Sequence, residues 1–168
     1  VIVHLAAKQV PPEEELFEAN VTGTNNLITS MLDSHAKHLV YLSTAAVYGE
    51  QEDKVLSEKD ICYPSTPYGL TKYLGETICQ YWKTKTNQTL TILRPFNVYG
   101  EGSSKGVIYN MIQNIKQNKS ITIYGDGKQT RDFLYVEDVV EAIVLALQKE
   151  KTGIYNLGSG VNVSLLDL

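Results

Sequence analysis

Tyr68 and Lys72 stand four residues apart, directly after Thr66-Pro67. On a helix that spacing puts both side chains on one face, a turn apart. An ammonium beside a phenol favours the phenolate. A free tyrosine titrates near about 10, and each unit of depression takes about 1.4 kcal/mol. With a helix N-terminus and a cationic cofactor added, the pair could act as a base near neutrality. In a chain with eleven tyrosines the same two residues also fit a ring packed over a lysine stem.

Ser43 and Thr44 put two hydroxyls at the end of the apolar run His38 to Leu42, where one could donate to a substrate oxygen during proton transfer. An ordinary Ser-Thr turn ending a strand fits as well. Arg131 by itself reads as an ordinary ion-pair partner of Asp126 or Asp132. Gly100 to Gly106 invites comparison with a dinucleotide-binding turn. Its last gap is three residues, however, and Lys105 lacks the Gly-Lys-Ser/Thr order of a nucleotide-hydrolysing loop.

These side chains need elements to hold them. Val1 to Ala7 reads as a buried strand, and Pro11-Pro12 with Glu13 to Glu15 marks a helix start. That helix is predicted to run to about Ser34, weakened at Gly23. His38 to Ser43 is a strand. Thr66 then caps a helix, with Pro67 in its first turn, that runs to about Thr84. Strands at 89–93, 121–124 and 133–136 and helices at 107–117 and 137–149 follow, and Ser164 to Leu168 reads as the start of another helix. Strands alternating with helices mean βαβ units, so the fold class expected is α/β with a doubly wound parallel sheet. Residues after Gly100 alternate less regularly and suit a smaller lobe over the carboxyl ends of the strands, where such sheets bind ligands.

Composition narrows the function. A formal charge of -4 without a basic block argues against nucleic acid as a partner. No apolar run approaches the roughly 18 residues of a membrane helix, so no membrane partner is expected and a cytoplasmic protein is the default. Cys62 and Cys79 lack paired spacing and read as reduced thiols. His4, His35 and His38 make no metal site, and the last two read as surface residues. The chain starts inside a strand and stops inside a helix start, which suggests the middle of a longer protein.

Six segments, in order, carry a resemblance. They are His4-Leu5-Ala6-Ala7, Asn20 to Leu27, Ser43-Thr44-Ala45-Ala46-Val47-Tyr48-Gly49, Tyr68-Gly69-Leu70-Thr71-Lys72, Leu93-Arg94-Pro95-Phe96-Asn97-Val98-Tyr99-Gly100 and Tyr124 to Phe133. Together they resemble the extended short-chain dehydrogenase/reductases, and within them the nucleotide-sugar epimerase/dehydratase group. The resemblance implies NAD as cofactor and a Rossmann-type sheet whose Gly-rich loop lies upstream of Val1. It divides the chain into the later part of an NAD-binding domain, 1–100, and a mostly substrate-binding lobe, 101–168, interleaved with the sheet.

It also implies roles. Tyr68 becomes the base, Lys72 its electrostatic partner and a ligand of the nicotinamide ribose, and Thr44 the hydroxyl of the triad. Ala6, Ala7, Ser43, Pro95 and Phe96 would border the cofactor. Thr44, Asn97, Tyr124 and Arg131 would hold the substrate, and Asn20 would support the site. A homodimer is implied through the helices around 20–34 and 68–83. Dehydratases of the group carry acidic residues directly after the hydroxyl residue, and decarboxylating members commonly a Glu at the second place. Ala45 and Ala46 stand there instead. The expected reaction is therefore 4-epimerisation of a nucleotide sugar through a 4-keto intermediate, with UDP-glucose and UDP-galactose first. A related dehydratase, decarboxylase or reductase, or a non-catalytic NAD-binding protein, are the alternatives.

Overall fold

The computed structural model describes residues 1–51 and 54–168, so Glu52 and Asp53 of the acidic loop lie outside the description. Four parallel strands form the main sheet in the order β1-β2-β3-β6: β1 Ile2–His4, β2 His38–Leu42, β3 Thr89–Pro95 and β6 Gly153–Leu157. Helices α1 (Glu13–Phe17), α2 (Gly23–Leu32) and α3 (Pro67–Thr86) belong to one side. There Ile28, Met31, Cys79 and Trp82 pack on Leu39, Tyr41, Leu90 and Ile92 in a single core. Those strand residues alternate along β2 and β3, as a pleated face requires. The opposite parity, Val40 and Leu93, is equally buried, and α5 (Val136–Lys149) also reaches β2 and β3. This is the expected α/β class with a parallel sheet.

The predicted helix from Glu13 is continuous in space but loosens to a π turn over Glu18–Thr22, between α1 and α2. Gly23 does not break it, because its backbone stays right-handed helical. Thr66 caps α3 as expected: its Oγ1 accepts from the Gly69 amide at 3.1 Å, and Pro67 occupies the first turn.

A second sheet joins β4 (Asn97–Tyr99), β5 (Thr130–Tyr135) and β7 (Asn162–Ser164), with β4 parallel and β7 antiparallel to β5. Helix α4 (Val107–Lys116) accompanies it. Here the expectations need correction. Ile121 to Tyr124 is not a strand: it pairs with none of β4, β5 and β7, and Tyr124 is 83% exposed. The helix expected from Ser164 is instead the end of β7 and a turn, in which the Ser164 hydroxyl bonds Asp167. The first strand is shorter than Val1 to Ala7, ending at His4. His38 is not a surface residue but is buried, its Nε2 2.9 Å from Thr91 Oγ1.

Candidate active site

The carboxyl ends of the strands open on a cleft of about 1230 Å³. Ser43, Thr44, Tyr68, Pro95, Phe96, Asn97 and Arg131 all line it, although they are spread over 89 positions of the chain. Ala6 and Ala7 follow β1 at the same end of the sheet and are exposed. Tyr124, mostly exposed, is not among the lining residues.

Thr44 ends the strand in extended backbone and caps a 3-10 turn, Ala45–Tyr48, by accepting the Ala46 amide at 3.2 Å. Its hydroxyl proton is therefore left to donate elsewhere. The first turn of α3 comes down directly on this turn. A Cβ on Gly69 would lie 2.5 Å from the Ala46 carbonyl oxygen, so only glycine beside Tyr68 lets the two elements meet. Burial holds the Tyr68 phenol above its ordinary value, and a hydrogen bond from Thr44 pulls the other way.

Lys72 is almost fully buried one turn further on. Its Nζ lies 4.2 Å from the centre of the Tyr41 ring, a cation–π contact. Burial pushes this ammonium down to about 8, against the fields of Cys79 and Glu76. The depression of Tyr68 by Lys72 expected from their spacing is thus not a property of the chain by itself: the phenol is moved by its burial and by Thr44. Tyr41 fits beneath α3 because Gly75 has no side chain; a Cβ there would be 2.1 Å from its hydroxyl.

Asn20 sits in the π turn, fully buried. Its Nδ2 donates to the Lys8 carbonyl at 2.8 Å and to Thr71 Oγ1 at 2.9 Å, and its Oδ1 accepts the Lys8 amide at 2.7 Å. It ties the segment after β1 to the helix that carries Tyr68 and Lys72. π turns recur at such places because the extra residue re-aims a side chain.

Behind the cleft lies a network that the sequence reading missed. Arg94 donates from Nε to Glu76 Oε1 at 2.9 Å, from Nη2 to Glu76 Oε2 at 2.6 Å and from Nη1 to the Tyr48 hydroxyl at 2.8 Å. Tyr48 in turn donates to Asn156 Oδ1 at 2.7 Å. Burial works against the Arg94 charge, and the paired Glu76 more than offsets it, so its pKa rises. One buried ion pair therefore joins α3, β3, the Thr44-capped turn and β6. A signal was present: Arg94 is the lone charge of its strand, and Glu76 stands four residues after Lys72.

The far wall is different. Asn97 Nδ2 donates to the Asp132 carbonyl at 3.0 Å. The carboxylate of Asp132 accepts from Ser159 and Gly160. Arg131 is exposed and, among the described residues, bonds only the Thr130 carbonyl and pairs with neither Asp126 nor Asp132. Lys105 and Lys116 join it in lining the cleft. Among the described residues there is no cluster of three or more groups that could hold a metal, and no helix is long and apolar enough to cross a membrane.

A parallel sheet opening on a hydroxyl, a tyrosine and a lysine on adjoining turns is the architecture of the short-chain dehydrogenase/reductases. The chain belongs to the NAD dependent epimerase/dehydratase family, whose model matches residues 1–158. It is 36% identical over 156 residues to dTDP-D-glucose 4,6-dehydratase of Bos taurus, covering 92% of this chain and 44% of that protein. UDP-glucuronic acid 4-epimerase of Bacillus cereus, solved with UDP-glucuronic acid and NAD, superposes with a TM-score of 0.89 at 32% identity, over 98% of this chain and 56% of that one. UDP-glucose 4-epimerase of Thermotoga maritima, solved with UDP-glucose, gives 0.89 at 28% identity, over 98% and 57%. The chain spans about half the length of the proteins it matches.

Proposed function

We propose that the protein of which this chain is part is an NAD-dependent 4-epimerase of a nucleotide sugar, with UDP-glucose and UDP-galactose as its first candidate pair. The observation that carries the reading is the wall beside Tyr68: Ala45 and Ala46 line the cleft between Thr44 and the first turn of α3. A methyl group transfers no proton. Elimination of water needs an added acid/base at this wall, whereas epimerisation needs only one oxidation, a turn of the sugar and one reduction.

Three features fit NAD. Ser43 Oγ is buried, lines the cleft and has no hydrogen-bond partner among the described residues. The Lys72 ammonium is buried against a ring instead of a carboxylate. Ala6 and Ala7 supply small side chains at the end of β1. NAD would serve as hydride acceptor and then donor, with Ser43, Lys72, Pro95 and Phe96 holding its nicotinamide end.

The remaining work falls to the chain. Tyr68 takes the proton of the C4 hydroxyl and returns it after the sugar has turned, while Thr44 donates to the same oxygen and keeps it in place. Lys72 supplies the positive field that favours the phenolate. Asn97 and Arg131 hold the diphosphate on the far wall, so the sugar can turn while the nucleotide stays fixed. Tyr124 stands apart from this group. A homodimer through the helices around 20–34 and 68–83, where Leu32, Leu70 and Tyr81 are exposed, and a cytoplasmic setting complete the reading.

The test is incubation of the complete protein with UDP-glucose and NAD, followed by chromatography and mass measurement. The expected product is UDP-galactose of unchanged mass with NAD conserved. A product lighter by one water, or by carbon dioxide from a uronate, would replace the epimerase reading with a lyase.

A further inference from the structure

The nucleotide-sugar epimerases that this chain resembles include one solved with UDP-glucuronic acid and one solved with UDP-glucose. The sugars differ at C6, which is a carboxylate in the first and a hydroxymethyl group in the second. C6 hangs on C5, the ring atom next to C4. Whatever side chains hold the C4 oxygen therefore have C6 close beside them.

Turning the sugar over makes the requirement stricter. The two epimers present C4 to the same hydroxyls but carry C6 on opposite sides of it. A uronate thus needs donors or a cation at two places on the wall around Thr44 and Tyr68.

That wall, contributed by residues 42–68, brings no cation to the cleft among the described residues, and the donors it adds to Thr44 and Tyr68 are the neutral side chains of Ser43, Gln51, Ser65 and Thr66, none of them at the two positions that follow Thr44. Next to Thr44 it offers the methyl groups of Ala45 and Ala46, then Gly49. The one charged side chain it adds to the cleft, among the described residues, is the exposed carboxylate of Glu50. The cations that line the cleft, Lys105, Lys116 and Arg131, come from α4, the loop before it and β5, on the opposite wall. Lys72 cannot serve, because its ammonium is buried against Tyr41. The wall that carries Thr44 and Tyr68 thus adds one charge to the cleft, a negative one, whereas all three cations lie opposite, where a diphosphate would lie, together with Glu101.

We propose that the enzyme takes nucleotide hexoses that are uncharged at C6 and excludes uronates, with Ala45 and Ala46 withholding donors and Glu50 repelling the carboxylate. This rests on the 4-epimerase reading and names its substrate class. Leaving a carboxylate desolvated without a partner, beside a like charge, is the kind of mismatch that discriminates strongly.

The experiment compares kcat/KM of the complete, NAD-loaded protein for UDP-glucose, UDP-N-acetylglucosamine and UDP-glucuronate. A preference of about 100-fold for the better neutral sugar over the uronate is expected. Glu50→Gln is expected to narrow it by about fivefold through faster use of UDP-glucuronate, with the neutral sugar unaffected. Comparable use of the uronate, or a preference that Glu50→Gln leaves in place, overturns the inference while the 4-epimerase reading stands. Conversion of none of the three overturns that reading and the inference with it.

Discussion

The two walls of the cleft are built to different standards. On the Thr44–Tyr68 side, Leu39, Val40, Tyr41, Cys79 and Trp82 are fully buried, and Glu76 and Arg94 are paired at 0% and 3% exposure. On the far side α4 has no buried residue at all, Ile112 and Ile115 are 44% and 61% exposed, and Arg131 stands in solvent. Groups that exchange a proton must be held to fractions of an ångström, and a close-packed core does that. Groups that hold a diphosphate act through charge and flexible reach, and need no core. On the proposed function, the difference separates a wall for chemistry from a wall for binding.

Breaking the dense wall should cost most. Glu76→Ala leaves Arg94 charged and buried without its carboxylate, so a loss of about 3–5 kcal/mol is expected in urea unfolding of the complete protein. Turnover should fall with it, because α3 and β3 are no longer tied. A loss below about 1 kcal/mol would mean that the network does not hold the wall.

Arg131→Ala strikes the binding wall. It should raise KM about tenfold, with kcat and the unfolding midpoint nearly unchanged, since an exposed side chain that binds ground and transition states alike affects uniform binding. A matching fall in kcat would put Arg131 in the chemistry instead.

The smallest effect sharpens the comparison through pH. Lys72 has a folded pKa of about 8, below its ordinary 10.5. Between those values the unfolded chain binds more protons, so this group's contribution to stability rises with pH across that window and is lost as pH falls toward 8. Without NAD, Lys72→Met should therefore be more stable than the parent near neutrality, by about 1–2 kcal/mol, and the gap should close toward pH 10. Thermal denaturation across pH checks this. A gap that widens with pH would show the sign to be wrong.

How far the sequence led differs between the same two regions. Around α3 the local signals agree: Thr66 and Pro67 cap the helix, and its apolar spacing faces Leu39 and Ile92. Those elements and the residues they bring to the cleft were legible. In the second sheet the decision is made by pairing, which local propensity does not contain. Ile121 to Tyr124 has strand composition but pairs with no strand, whereas Asn162–Ser164 becomes a strand because it pairs with the edge of β5. β4 was missed for the same reason, and so was β6, although it belongs to the main sheet. The geometry of Lys72 was not legible either, because spacing along a helix says which face it occupies and not that Tyr41 waits beneath it.

The central claim is that Tyr68 moves the proton at C4 of a bound nucleotide sugar. The direct measurement is steady-state interconversion of UDP-glucose and UDP-galactose by the complete NAD-loaded protein and its Tyr68→Phe variant, alongside equilibrium binding of UDP-glucose to each. Interconversion slower by about 10³-fold in the variant, with binding held within about threefold, is the result this account expects. Undiminished interconversion by Tyr68→Phe would contradict it.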